Sequence, residues 1–96
     1  MNLISNINVL QTNSFEKIVK KLHKNQKKDL DKAIIVIVEA PSIGELKKGD
    51  LSSIRIYKFK MVNQLILLAY QFKEDQLTLL LIALGSHENF YRDLKS

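Results

Sequence analysis

The sequence predicts an α+β domain in which a two-helix hairpin packs on an antiparallel four-stranded sheet, followed by a short C-terminal helix. Three observations lead there. Phe15, Ile18, Val19 and Leu22 recur at i, i+3, i+4 and i+7, the stripe of an amphipathic helix. Three strand-like runs, IRIYKFKM (54–61), LILLAYQF (65–72) and LTLLLIAL (77–84), stand close together in the second half. The links between them, VNQ and KEDQ, are short enough for antiparallel hairpins.

Residues 6–11, INVLQT, alternate weakly and read as a first strand. Asn13 or Ser14 then suits a helix cap, with Glu16 three residues beyond Asn13 in capping-box position. The polar run KNQKKD starting at Lys24 reads as a turn, after which Asp29 can cap a second helix. The segment LDKAIIVIVEAP supports two readings. Its β-branched residues 34–38 favour a strand, whereas Leu30, Ile34, Ile37 and Val38 keep helical spacing. The helical reading is preferred, because it pairs with the first helix as a hairpin. Residues 42–53, SIGELKKGDLSS, read as a polar loop. The runs at 65–72 and 77–84 are apolar on both faces and belong inside the sheet.

With 96 residues the chain forms a single domain spanning 1–96. Its hydrophobic fraction of 46% supports a folded core rather than disorder. The absence of cysteine excludes disulfides and fits a reducing cytoplasm. No apolar stretch reaches the ~18 residues of a membrane span, and the N-terminus lacks the pattern of a signal peptide. A soluble, cytoplasmic protein is expected.

The net charge is +5. Lys17, Lys20, Lys21, Lys24, Lys27 and Lys28 place six lysines within twelve residues that hold no acid. Such a field attracts polyanions, nucleic acid first, through counterion release; a solvated helix face is the alternative. His23, among those lysines, reads as ordinary surface. In the strand 54–61, Arg55, Tyr57, Phe59 and Met61 share one face, and Ile54, Ile56, Lys58 and Lys60 share the other. Two ammonium groups ~7 Å apart on one strand face can hold a phosphate. They can equally guard a sheet edge.

The octet LGSHENFY (84–91) follows the last strand. Gly85 and Ser86 break that strand, and in a short terminal helix His87 and Tyr91 would share a face. An imidazole exchanges protons near neutral pH, and a tyrosine offers a ring on which a base can stack. No glycine-rich phosphate loop, HExxH or nucleophile elbow occurs. The two histidines lie far apart without a carboxylate cluster, so no metal and no cofactor is expected.

From YKFKM (57–61) and LGSHENFY (84–91), behind a basic helical hairpin, the chain resembles the RelE/ParE superfamily of bacterial type II toxins. The first motif is similar to the Tyr-Lys-apolar-Lys strand of RelE-type members. The second is similar to the Gly-Thr-His-x-x-x-Phe ending of YafQ-type members. The resemblance runs from Phe15 to Leu94 and implies a helix at the ambiguous segment. It also implies a ribosome-dependent, metal-independent mRNA endonuclease, or mRNA interferase, held inactive by a cognate antitoxin. By that resemblance Lys58 and Lys60 would stabilise the scissile phosphate, His87 would act as general acid, and Tyr91 would stack on the substrate base. The six helical lysines, with Arg55 and Arg92, would contact RNA backbone. The chain departs from RelE-type members in carrying Leu67 and His87 where they carry arginines, and it lacks a second histidine on the sheet. The base is therefore open among Lys58, Lys60, Arg55, Arg92 and ribosomal RNA. Two other functions compete: a ParE-like DNA gyrase poison, and a basic nucleic-acid-binding module without chemistry. Codon preference, the antitoxin contact and the oligomeric state are not legible.

Overall fold

The computed structural model describes residues 7–47 and 53–86. Strand β1 (Asn8–Gln11) leads into helices α1 (Asn13–Lys20) and α2 (Lys24–Glu39). A two-residue strand β2 (Glu45–Leu46) precedes β3 (Arg55–Met61), β4 (Gln64–Lys73) and β5 (Thr78–Gly85), with a 3₁₀ turn at Glu74–Gln76. The sheet order is β1-β5-β4-β3-β2.

The α+β class and the helical pair are as expected, but the sheet is mixed and has five strands. β3, β4 and β5 form the two antiparallel hairpins. β1, however, runs parallel to β5, with Asn8 opposite Thr78 and Gln11 opposite Leu81. The helical pair carries the chain from β1 back across the sheet, so the first and last strands meet side by side. The fifth strand, β2, lies within the segment expected to be loop. The expected C-terminal helix falls on residues outside the described ones.

Both helices begin earlier than the capping residues suggested. Thr12 caps α1: its Oγ1 accepts the Phe15 N–H at 3.1 Å and donates to the Ile82 carbonyl at 2.8 Å. Glu16 lies inside the helix, 3.9 Å from Lys20, so Asn13 and Glu16 form no capping box. Helix α2 starts at Lys24 after the cap residue His23, whose N–H is accepted by Gln26 Oε1 at 2.8 Å. The run KNQKKD is therefore helical rather than a turn. Asp29 sits mid-helix, and its carboxylate accepts the Val62 N–H at 2.8 Å. That bond ties α2 to the β3–β4 turn, where Val62 and Asn63 both adopt positive φ, 48° and 69°. Two such residues suit a tight hairpin turn, but the left-handed region is costly for β-branched Val62.

The main core lies between the helices and one face of the sheet. Phe15, Leu30, Ile37 and Val38 pack against Met61, Ile66, Leu68, Tyr70, Leu79, Leu81 and Leu84. Burial of each such large apolar side chain contributes roughly 1.5–3 kcal/mol, enough to override the strand propensity of residues 34–38. Leu79, Leu81 and Leu84 break the period of two because the register slips: Ala69 faces Ala83, yet Tyr70 faces Leu81. Ile82 is the extra residue of a β-bulge.

Candidate nucleic-acid interface

A second, smaller cluster occupies the opposite face: Ile56, Leu67 and Ala69, flanked by Ile54, Ile82 and Ala83. Among the described residues no helix contributes to it. This is the lysine face. Side chains alternate along β3, so Tyr57 and Phe59 join the helix-side core, with ring centroids 6.1 Å apart. Lys58 and Lys60 stand exposed on the other side with Ile56. Lys60, near the open edge of β3, also borders a shallow cleft of about 180 Å³ against α2, with Asp29, Lys32, Ala33 and Val36.

The register connects this strand to the end of β5. Lys58 lies opposite Leu67, and Leu67 lies opposite Gly85. Three neighbouring strands at 4.7–4.9 Å spacing put the Gly85 backbone about 10 Å from that of Lys58. Leu67, between them, is fully buried, so the row is apolar and covered at the position that, by the resemblance, corresponds to an arginine in RelE-type members. His87, Tyr91 and Arg92 lie outside the described residues, and the chain reaches them from Gly85 and Ser86.

The fold adds a residue that the sequence reading overlooked. Glu45 of β2 pairs with Ile56 and so projects onto the lysine face, one diagonal step from Lys58. Its carboxylate accepts from Lys47 Nζ at 2.9 Å. That hydrogen bond and the Lys47 charge, with a lesser contribution from Lys58, hold the Glu45 carboxyl below the usual carboxylate value. Glu45 is ionised at neutral pH. It escaped notice because it sits in a polar stretch between glycines, and a two-residue strand leaves no alternation to read.

Arg55 lies on the helix side of β3, where its guanidinium donates to the carbonyls of Ser42 at 3.2 Å and Gly44 at 2.8 Å. It organises the loop before β2, and Tyr70 completes that loop. The Tyr70 hydroxyl donates to the Pro41 carbonyl at 2.7 Å and accepts the Gly44 N–H at 2.9 Å. A Cβ at Gly44 would lie 2.7 Å from that hydroxyl, so glycine is required by close approach. The latch fixes the position of Glu45 one residue later.

The six clustered lysines do not share one helix. Lys17 and Lys20 are in α1, Lys21 is its C-cap, and Lys24, Lys27 and Lys28 open α2. Four of them, Lys20, Lys24, Lys27 and Lys28, border an open cleft of about 480 Å³ at the helix–helix corner, together with Val19, Leu22 and Asp31. Asp31 accepts from Lys27 at 2.9 Å and offsets part of that charge. His23 is exposed at the same corner. Among the described residues no three His, Asp or Glu side chains gather as metal ligands would.

A family model for the ParE-like toxin of type II bacterial toxin–antitoxin systems matches residues 9–95. The chain belongs to this family, within the RelE/ParE superfamily. Comparison with curated proteins gives no match. Among solved structures, the chain is similar to the intact RelBE toxin–antitoxin complex of E. coli, with a TM-score of 0.70 and 20% identity over 85% of this chain and 98% of that one. It is also similar to the RelBE2 toxin–antitoxin complex of Mycobacterium tuberculosis (TM-score 0.72, 12% identity, 85% and 99% covered). The archaeal RelE–RelB complex of Pyrococcus horikoshii gives a TM-score of 0.61 at 12% identity, with 86% and 97% covered. At these identities the likeness establishes the fold: two helices on a mixed five-stranded sheet.

Proposed function

We propose that this toxin is a ribosome-dependent, metal-independent mRNA endonuclease, silenced by a cognate antitoxin. The observation that supports this reading is the row Lys58–Leu67–Gly85, which sets the end of β5, two residues before His87 in sequence, two strands away from Lys58. RNA cleavage there begins with an RNA 2′-hydroxyl attacking the adjacent 3′ phosphate. Glu45, ionised and one diagonal step from Lys58, accepts the hydroxyl proton. Lys58 and Lys60 balance the charge that builds on the phosphoryl oxygens. The P–O5′ bond breaks, His87 protonates the departing oxygen, and Tyr91 stacks on the base. The products are a 2′,3′-cyclic phosphate and a 5′-hydroxyl. The lysines at the α1–α2 corner hold ribosomal RNA through backbone contacts that carry no sequence information. An antitoxin partner is supported by the family and by the toxin–antitoxin complexes that share this fold.

One observation favours a second reading: the matching family is described as ParE-like, and poisoning of DNA gyrase would need no acid–base pair. Induced expression followed by primer extension on cellular mRNA separates the two. Codon-phased cuts that disappear in Lys58→Ala and Glu45→Gln support the nuclease. An SOS response without cuts overturns it.

A further inference from the structure

The two edges of the sheet are treated differently. At one edge β2 pairs with Arg55 and Ile56 of β3; the remainder of that edge, unpaired among the described residues, carries Lys58 and Lys60, the kind of charge that discourages edge pairing. At the other edge lies β1, NVLQ, with no charge, no proline and no bulge. Its even residues face inward: the Asn8 N–H donates to the Leu77 carbonyl at 2.8 Å and the Thr12 N–H to the Leu81 carbonyl at 3.0 Å. The alternation of a strand therefore turns the N–H and C=O of Val9 and Gln11 outward, where among the described residues nothing pairs with them. All four side chains of β1 are exposed. Val9 stands beside the buried Leu79 on the helix side, and Leu10 beside Leu80 on the lysine face.

We infer that β1 is the docking edge for an extended segment of the antitoxin, which adds as a sixth strand against Val9 and Gln11; this rests on the antitoxin reading above. Four outward backbone groups give such a strand its hydrogen bonds, and Val9 and Leu10 give it an apolar contact on each face. Charge decides the occupant. A second copy of this chain would bring +5 against +5, whereas an acidic partner strand meets a cationic molecule at an uncharged edge.

The test uses the full chain with the protein encoded in the adjacent reading frame, the candidate antitoxin. Val9→Pro removes one outward N–H and leaves every β1–β5 bond in place, as proline permits at an edge. Affinity at least about tenfold weaker in Val9→Pro, with unchanged circular dichroism and thermal midpoint, is the expected result. Amide exchange of the unsubstituted toxin gives an answer independent of any variant, with Val9 and Gln11 becoming protected in the complex. Unchanged exchange at both amides, or full affinity in Val9→Pro, overturns the edge assignment while leaving the antitoxin reading intact. Failure of the wild-type toxin to bind that protein overturns both. A free toxin dimer that Val9→Pro dissociates assigns the edge to a second copy instead.

Discussion

Tyr70→Phe removes a single oxygen from a fully buried side chain, and its cost follows from what that oxygen touches. The hydroxyl donates to the Pro41 carbonyl and accepts the buried Gly44 N–H, at 2.7 and 2.9 Å. Each hydrogen bond contributes about 0.5–1.5 kcal/mol net, and the stranded Gly44 N–H carries a further desolvation cost, so a loss of about 2 kcal/mol is expected. At 4–8 °C per kcal/mol for a domain of this size, the thermal midpoint falls by about 10 °C. Urea unfolding followed by circular dichroism measures the difference directly. A second signature is pH. Burial, opposed by the Gly44 hydrogen bond and the Arg55 charge, leaves the Tyr70 phenol above its ordinary value of 10.0. The folded state then holds the proton more tightly than the unfolded chain does. Stability from this source is intact below pH 10 and is lost as the pH climbs from there toward the raised folded value. The Tyr70→Phe protein lacks that component, so its deficit relative to wild type shrinks in strong alkali. A stability change under about 0.5 kcal/mol, within the range of an ordinary surface substitution, would refute the latch.

Other perturbations probe separate features. Val62→Asn relieves a β-branched residue at φ 48° in an exposed turn and should stabilise by about 1 kcal/mol, read as a raised urea midpoint with unchanged slope. Thr12→Ala removes the α1 cap and its bond to the Ile82 carbonyl, and should cost about 1–2 kcal/mol in the same assay. Asp29→Asn keeps an acceptor for the Val62 N–H, whereas Asp29→Ala does not, so the alanine variant alone should unfold at clearly lower denaturant. Gly44→Ala forces a methyl against the Tyr70 ring and hydroxyl and should destabilise by about 1–3 kcal/mol.

Much of this architecture is written in local patterns. The stripe Phe15, Ile18, Val19 and Leu22 and the alternation of β3 each state which side chains share a face, and the structure follows both. What stayed hidden depends on partners far along the chain. Periodicity says that β1 is a strand but not that Leu79 and Leu81 will lie beside it in parallel. The bulge at Ile82 cannot be seen in a run of leucines, alanine and isoleucine that is apolar at every step. The helix starts are hidden because Asn13 and Asp29 fit the cap pattern at least as well as Thr12 and His23; Thr12 prevails by bonding both Phe15 and Ile82, and Asp29 is engaged by the Val62 turn. For the candidate site, the facing of Lys58 and Lys60 was legible from parity alone. Glu45 was not, since only pairing with Ile56 turns a loop carboxylate toward them.

Lys58, at the exposed end of the row that runs through the buried Leu67 to Gly85, is either part of an RNA-cleaving groove or simply a solvated strand lysine. Elongating ribosomes stalled on a defined mRNA, incubated with purified toxin, decide between these when the RNA ends are sequenced and quantified. Scission in the A-site codon leaving a 2′,3′-cyclic phosphate, slowed about 100-fold or more in a fully folded Lys58→Ala protein, is the expected result. Intact message in the presence of wild-type toxin, or equal cutting by Lys58→Ala, would contradict it.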